Sequence, residues 1–393
     1  MGLTSWKKWK EGDSHLINRV QWDEREVKSI LERVFGEDWF AQGSANKDFE
    51  KKISSYTEIP YVYSTNSGSA AIQVGLMALK QQGYWKEGDL VIHPVTTFAT
   101  SISSAAFLGL TPVFIDTKPY SYVANPDKVK AAIIKYPRIK GMILPHLLGN
   151  IPDMDAIKEY LDDRFLVEDC CDTLGGKFDG KHAGSFGEIA TFSFYASHHI
   201  TTGGVGGAVG TREKTLEYLL KSTIYWGRDF KDGDQEFLKR YNYSVLGTDS
   251  QLSSLQAAFG LAQLEKLPEV VEAREKQFNE MTELFTESNY FHMPYVHPKA
   301  KPSWFSYPLT IKSKAPFTRA EFARYLSKNK VEVRPLMCGN IMEQSPFRKI
   351  KCIQLGNSFP VADEIENKSL FVPCWGMSEE QKNDYYNIFK NFF

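Results

Sequence analysis

Two adjacent histidines, His198 and His199, stand in TFSFYASHHITTGGVGGAV between an apolar run and a glycine-rich turn. An imidazole changes charge near neutral pH, so either ring is a candidate to take or give a proton. A metal pair is disfavoured, because neighbours on an extended chain point to opposite sides and no further ligand lies close in sequence. Viewed alone, each histidine reads as structural. The GGVGGAVG that follows leads into another apolar strand rather than a helix, which counts against a dinucleotide-binding loop.

Three other stretches carry groups with chemical potential. VEDCCDTLGG closes an apolar run with Glu168, Asp169 and, after two cysteines, Asp172. Carboxylates at the C-terminal edge of a parallel sheet occupy the usual ligand position of open α/β folds, although any one of them is as readily a solvated loop acid. YVYSTNSGSAAI reads as strand, turn and helix: free N–H groups at the helix start, with Gly68 allowing close approach and Ser69 adding a hydroxyl, suit a phosphate. Ser-Gly-Ser is equally an ordinary cap. Phe98, in HPVTTFATSISSAA, follows another strand end and is either core or a platform for a planar ring.

These residues need a scaffold, and the chain supplies one. Short apolar runs rich in branched residues recur at Leu90 to His93, Pro112 to Asp116, Met142 to His146, Phe165 to Glu168 and Thr191 to Tyr195. Between them Ser69 to Leu79, Asp127 to Ile134 and Asp155 to Leu161 have helical spacing, with Ser67, Asn125 and Asp153 as caps. The alternation predicts an α/β fold with a large, mostly parallel sheet covered by helices. From Asp249 a long helical stretch begins, and Pro268 marks a kink or a joint between two helices. Beyond it, SWFSYPLTIK and VEVRPLM as strands and TRAEFARYLSK as a helix predict a smaller α+β domain.

Composition narrows the function. The 393 residues are 42% hydrophobic, and 47 basic residues balance 48 acidic ones, leaving no electrostatic footprint for nucleic acid. No stretch reaches the roughly 18 apolar residues that span a bilayer. The opening MGLTSWKKWKEGDSHL lacks a signal peptide's apolar core, and Trp6 stands where a myristoylation motif needs Ser or Thr. A cytoplasmic protein with a small-molecule substrate is expected. Its five cysteines form no CxxC pair or recognisable metal spacing.

Taken in order, NSGSAA, KEGDLVIHPVTTFAT, GLTPVFIDT, ILPHLLGN, LVEDCCDTLGGKFDGKHAGSFG, TFSFYASHHIT, GGAV, LQAAFGLAQLEKL and VRPLMCGN resemble the sugar-modifying branch of the fold-type I pyridoxal-phosphate enzymes. This is the DegT/DnrJ/EryC1/StrS group, which includes nucleotide-sugar aminotransferases. The resemblance implies a cofactor-binding domain over residues 1–262, a small C-terminal domain over 263–393, and a homodimer with active sites at the interface. In that family the segment similar to SFYASH ends in the lysine that binds the cofactor covalently; here His198 stands there. That exchange resembles the GDP-4-keto-6-deoxymannose 3-dehydratase type. The resemblance further assigns Gly68, Ser69 and Ser193 to the cofactor phosphate, Phe98 to stacking on its ring, Asp169 to the ring nitrogen, and Asp172 to a second polar position beside it.

What the resemblance implies is a 3-dehydratase that uses pyridoxal and pyridoxamine phosphate, takes L-glutamate as amino donor and removes the C3 hydroxyl of a nucleotide-linked 4-keto-6-deoxyhexose. His198 would be the base. The rivals are a nucleotide-sugar aminotransferase and a catalytically silent ligand-binding homologue. Three departures from the family stand out. Asp249 replaces an asparagine that reaches the partner's phosphate, and the turn after the histidines is one residue longer and lacks a glutamate. Phe230, Lys231 and Asp232 follow Trp226-Gly227-Arg228-Asp229 where iron–sulfur relatives begin their cysteine cluster, so no cluster is expected.

Overall fold

The computed structural model describes residues 10, 12–18, 20–36, 39–230 and 241–393; Lys231 and Asp232 lie outside this range. Among the described residues, eight strands form the large sheet: β1 (Tyr61–Thr65), β2 (Leu90–Pro94), β3 (Thr111–Ile115), β4 (Ile139–Pro145), β5 (Phe165–Asp169), β8 (Ile189–Ser193), β9 (Gly207–Thr211) and the short β14 (Ile353–Gln354). Their order is β1-β9-β8-β5-β4-β2-β3-β14. Every pairing is parallel except those of β9, which runs antiparallel between β1 and β8.

Both faces of the sheet are covered, which is why its strands read as unbroken apolar runs. Successive residues alternate between two cores. Ile92, Met142, Leu144 and Leu166 join the face packed by helices α1 (Glu24–Gly36), α2 (Ser44–Thr57), α5 (Pro126–Lys135), α6 (Met154–Leu161) and the start of α8 (Ser254–Glu287). Val91, Ile143, Val167, Ile189 and Val209 join the face packed by α3 (Gly68–Gln81), α4 (Ala99–Phe107) and α7 (Lys214–Ile224). The expected caps are in place: Ser67, Asn125 and Asp153 accept from Ala70, Asp127 and Ala156 N–H groups at the starts of α3, α5 and α6.

The smaller unit is built on an antiparallel sheet in the order β10 (Phe291–His292), β12 (Tyr307–Ile311), β15 (Ser369–Val372), β13 (Arg334–Pro335). Phe278, Met281 and Phe285 of α8 pack there with Phe322 of α9 (Arg319–Lys328) and Tyr385 of α11 (Glu379–Lys390). Helix α10 (Pro360–Lys368) docks on β12 and β15. A hairpin of β6 (Lys177–Phe178) and β7 (Lys181–His182) takes β11 (Ala300–Lys301) as a third strand.

Pro268 does not separate two helices: α8 runs through it from Ser254 to Glu287. The hydrogen bond that proline cannot donate is offset by packing on either side, with Leu264 and Leu267 in the large core and Phe278 and Met281 in the small one. Residue 262 therefore lies inside a continuous helix. Chain also crosses between the units, for β14 pairs with β3, and His15 bridges to Val331.

Candidate active site

The C-terminal ends of β2, β4, β5 and β8 open on one cavity of about 610 Å³, with α3 on one side and the small unit as a further wall. Gly68, Ser69, Phe98, Asp169, Asp172, Ser193 and His198, the residues singled out from the sequence, all line it. This is the position that parallel α/β sheets generally give to ligands.

One end is shaped for an anion. Gly68 and Ser69 form the first turn of α3, whose N–H groups have no acceptor within the helix and whose dipole favours negative charge. A Cβ on Gly68 would stand 2.8 Å from Cys171 Sγ and 2.8 Å from Ser193 Cβ, so only glycine allows this turn so close to β8. Ser69 Oγ lies 3.0 Å from Thr100 Oγ1, which ties the starts of α3 and α4 together. Ser193 Oγ accepts from the Tyr195 N–H at 3.3 Å and keeps its own proton to donate.

Deeper in the cavity, Asp169 is almost fully buried, its Oδ2 accepting from Ser101 Oγ at 2.6 Å and its Oδ1 from the Cys171 N–H at 3.2 Å. A carboxylate so fixed at the floor of an apolar slot suits a protonated ring nitrogen. Phe98, at the N-cap of α4, is 54% exposed although its neighbours on β2 are buried, and it presents its ring to the cavity. The Cys171 thiol is pushed well above its ordinary value, chiefly by burial and then by Asp169, and is a neutral S–H at physiological pH.

The histidine pair divides. Its segment is a turn, closed by the His198 N–H donating to the Tyr195 carbonyl at 2.9 Å, and not the extended chain expected from the sequence. The two rings nevertheless part company. His198 faces the cavity, with Nε2 3.4 Å from Asp172 Oδ1 and its ring edge-on to Phe305 at 5.1 Å. Asp172 is held in turn by the Leu148 N–H on Oδ2 at 3.1 Å. His199 is buried behind the site, its Nε2 2.9 Å from Ser303 Oγ. Burial, then the charge of Arg274, holds His199 well below the ordinary histidine value, so it stays uncharged.

Glu168 is neither a ligand-binding group nor a solvated loop acid. It is fully buried and accepts from the N–H groups of Gly184, Phe186 and Gly187, while His146 Nε2 lies 2.9 Å away. That knot fixes the loop leading into β8. His146, Glu168 and Cys170 bring possible ligand atoms within 4.8 Å of one another, but the carboxylate is already saturated and burial keeps the Cys170 thiol protonated. Asp249 does not line the cavity: its Oδ1 accepts from Gln251 and its carbonyl from Asn66 Nδ2.

Sequence reasoning passed over Ser101, Phe305 and Arg334. Ser101 lay within a quoted motif, one helical turn after Phe98, and an alternation of small polar residues there was the available signal. Phe305 and Arg334 come from the small unit, and nothing local marks them as facing β5. The groups that are assembled fit a flat cationic heteroaromatic ring with a phosphate arm: anion cradle, stacking face and buried carboxylate lie in one cavity. Among the described residues that line it there is no lysine.

Residues 21–388 match the model of the DegT/DnrJ/EryC1/StrS aminotransferase family. The chain is 32% identical over 381 residues to the lipopolysaccharide biosynthesis protein RfbH of Salmonella typhimurium, covering 90% of this chain and 86% of that one. It is 30% identical over 385 residues to the GDP-4-keto-6-deoxy-D-mannose 3-dehydratase of Yersinia pseudotuberculosis, covering 94% and 96%. A crystal structure of GDP-4-keto-6-deoxymannose-3-dehydratase with a trapped PLP–glutamate geminal diamine superposes with a TM-score of 0.88 at 24% identity, over 95% of this chain and 99% of that one. The fold is thus that of the pyridoxal-phosphate aminotransferases, and the chain belongs to the DegT/DnrJ/EryC1/StrS aminotransferase family.

Proposed function

We propose that the chain is a 3-dehydratase of deoxysugar biosynthesis, dependent on pyridoxal and pyridoxamine phosphate, that removes the C3 hydroxyl of a nucleotide-linked 4-keto-6-deoxyhexose. L-Glutamate is the amino donor. The observation that carries the reading is His198, an imidazole on the cavity wall where the family has its cofactor lysine, with no lysine among the described lining residues. The cofactor, when bound, supplies an amino group for the sugar's ketone and a ring that accepts electrons.

The chain's own residues do the rest. Gly68, Ser69 and Ser193 bind the phosphate, Phe98 holds the ring plane, and Asp169 keeps the proton on the ring nitrogen. His198, on the cavity wall, would take up the proton released at the reacting centre and return one to the departing C3 oxygen. Asp172 orients that ring and supplies a counter-charge while it is protonated. A lysine in the same place would take the same proton, but its amine would also displace the sugar as an amino product. Histidine closes that route. The cysteines lack cluster spacing, so no iron–sulfur centre takes part.

The exposed Tyr195 and Val205 at the cavity rim support a homodimer whose second copy closes the mouth. The test is incubation with glutamate and a panel of 4-keto nucleotide sugars, read by mass spectrometry. A 3-deoxy-4-keto product with free ammonia supports the reading; a 4-amino sugar makes the chain an aminotransferase, and no reaction of the bound cofactor with glutamate makes it a silent homologue. His198→Asn lowers turnover about 10²- to 10⁴-fold, while His199→Asn, altered behind the site, stays near the parent.

A further inference from the structure

The turn that carries His198 belongs to no sheet or helix, so its carbonyls have no ladder partners. Those of Ala196 and His198 are held from outside. Asn18 Nδ2 donates to the His198 carbonyl at 2.9 Å and approaches the Ala196 carbonyl at 3.4 Å, and Arg274 Nη2 lies 3.5 Å from the same His198 oxygen. These donors come from 180 and 76 positions away in the chain.

Asn18 is itself firmly placed. Ahead of it, His15 exchanges backbone hydrogen bonds with Lys330 and Glu332, and the Leu16 carbonyl accepts from Trp375 Nε1 at 2.9 Å. The Ile17 N–H donates to Glu332 Oε2 at 2.8 Å. Ile17 is fully buried against Leu148, Phe305 and Phe371, two of which line the cavity. The N-terminal segment thus straps the small unit to the back of the histidine turn. Between them is room for about one water molecule.

We infer that Asn18 is a positioning residue for the proposed base, fixing the main chain of the 196–198 turn so that the His198 ring meets Asp172. The inference rests on the reading of His198 given above. The ring's own restraints are slight: a 3.4 Å approach to one carboxylate oxygen and edge contacts with the Phe305 and Tyr195 rings. Ring placement is therefore set mainly by the backbone beneath it. Arg274 shares the carbonyl but also braces Trp304, Phe305 and Cys374, so its loss would disturb far more than the turn. Asn18 is the separable arm.

The experiment uses Asn18→Ala, which removes the donor, and Asn18→Asp, which keeps the shape but faces two carbonyl oxygens with a carboxylate. Both should lose about 10- to 100-fold in kcat, as a displacement near 1 Å does, with KM for the sugar nucleotide little changed. Independently of activity, the ring resonances of His198 in cofactor-free, isotope-labelled protein, assigned by their loss in His198→Asn, should shift or broaden, and those of His93 should not move. Turnover within about 2-fold of the parent together with an unmoved His198 signal overturns the inference. So does a loss confined to KM, cofactor affinity or melting temperature with that signal unmoved, which marks a purely structural strap. If Asn18→Ala fails to fold, the near-isosteric Asn18→Asp carries the test. Should His198→Asn itself turn over normally, the base is misassigned, while the resonance shift still reports whether Asn18 places the ring.

Discussion

Gly68→Ala isolates the anion cradle. The added Cβ would sit 2.8 Å from Cys171 Sγ and from Ser193 Cβ, where unstrained carbon contacts lie near 3.5–4.0 Å. Neither neighbour is the free end of a long side chain. Ser193 Cβ is bonded to the main chain of β8, and Cys171 Sγ is one bond further out, so relief requires α3 and β8 to part by about 0.7–1.2 Å. Overpacking of this kind costs about 1–3 kcal/mol of stability. More specifically, it parts the N–H groups of the α3 turn from the Ser193 hydroxyl, the groups proposed to bind one phosphate together. A hydrogen bond to a charged group is worth about 1.5–3 kcal/mol, or roughly 10- to 150-fold in affinity. The assay titrates the cofactor-free protein with pyridoxamine phosphate and, separately, with pyridoxamine, which lacks the phosphate. The variant should lose most of the preference for the phosphorylated form and little of its affinity for the other. If both affinities fall together, or the preference survives, the phosphate does not lie in the α3 turn.

Glu168→Ala should be destabilising by about 3–5 kcal/mol, because it strands three backbone donors, two of them buried, beside His146; a denaturation midpoint close to the parent's would contradict the knot. His93, fully buried with Nδ1 on the Pro94 carbonyl, is lowered to about 4 by burial. Its unfolded form takes up a proton below about 6.5 while the folded form does not, so its contribution is present above that pH and is lost on acidification, by about 1.6 kcal/mol between pH 6.5 and 5. Burial raises Glu50 to about 7, which tilts stability the opposite way in this window, so the measurement is the difference between parent and His93→Gln, whose stability should fall less; parallel profiles would sink it. Borohydride treatment of the cofactor-loaded protein, then denaturation and peptide mass spectrometry, should find no pyridoxyl group on any lysine. One such adduct would remove the basis for reading His198 as the residue that replaces it.

Much of the scaffold was legible because both faces of the large sheet are buried. Leu90 to His93, Phe165 to Glu168 and Thr191 to Tyr195 are apolar runs that coincide within a residue or two with β2, β5 and β8, and Ser67, Asn125 and Asp153 do cap the helices they precede. Strand order was not legible. It depends on which strands pair over long separations, and the antiparallel β9 differs from its neighbours in no local pattern that fixes its direction. The joint between helices offered at Pro268 failed for a related reason: a proline's local cost is known, but the packing that outweighs it comes from both cores at once. The site divides in the same way. Gly68, Phe98 and Asp169 follow strand ends and belong to contiguous motifs, whereas Phe305 and Arg334 reach the cavity only because the small unit folds back over β5.

The two histidines show most directly what residue type leaves undecided. They are consecutive and chemically identical, and both were assigned opposite sides on the premise of an extended chain, which the structure replaces with a turn. What separates them is what each meets. One ring finds a carboxylate at 3.4 Å beside a cavity large enough for a cofactor, so a counter-charge is within reach. The other finds a serine hydroxyl and a buried guanidinium, an environment that opposes a second positive charge. A proton shuttle requires a group that can hold the proton briefly and release it toward substrate. On the proposed reading only the first position meets that requirement, so removing its counter-charge by Asp172→Leu should silence His198 without touching either imidazole.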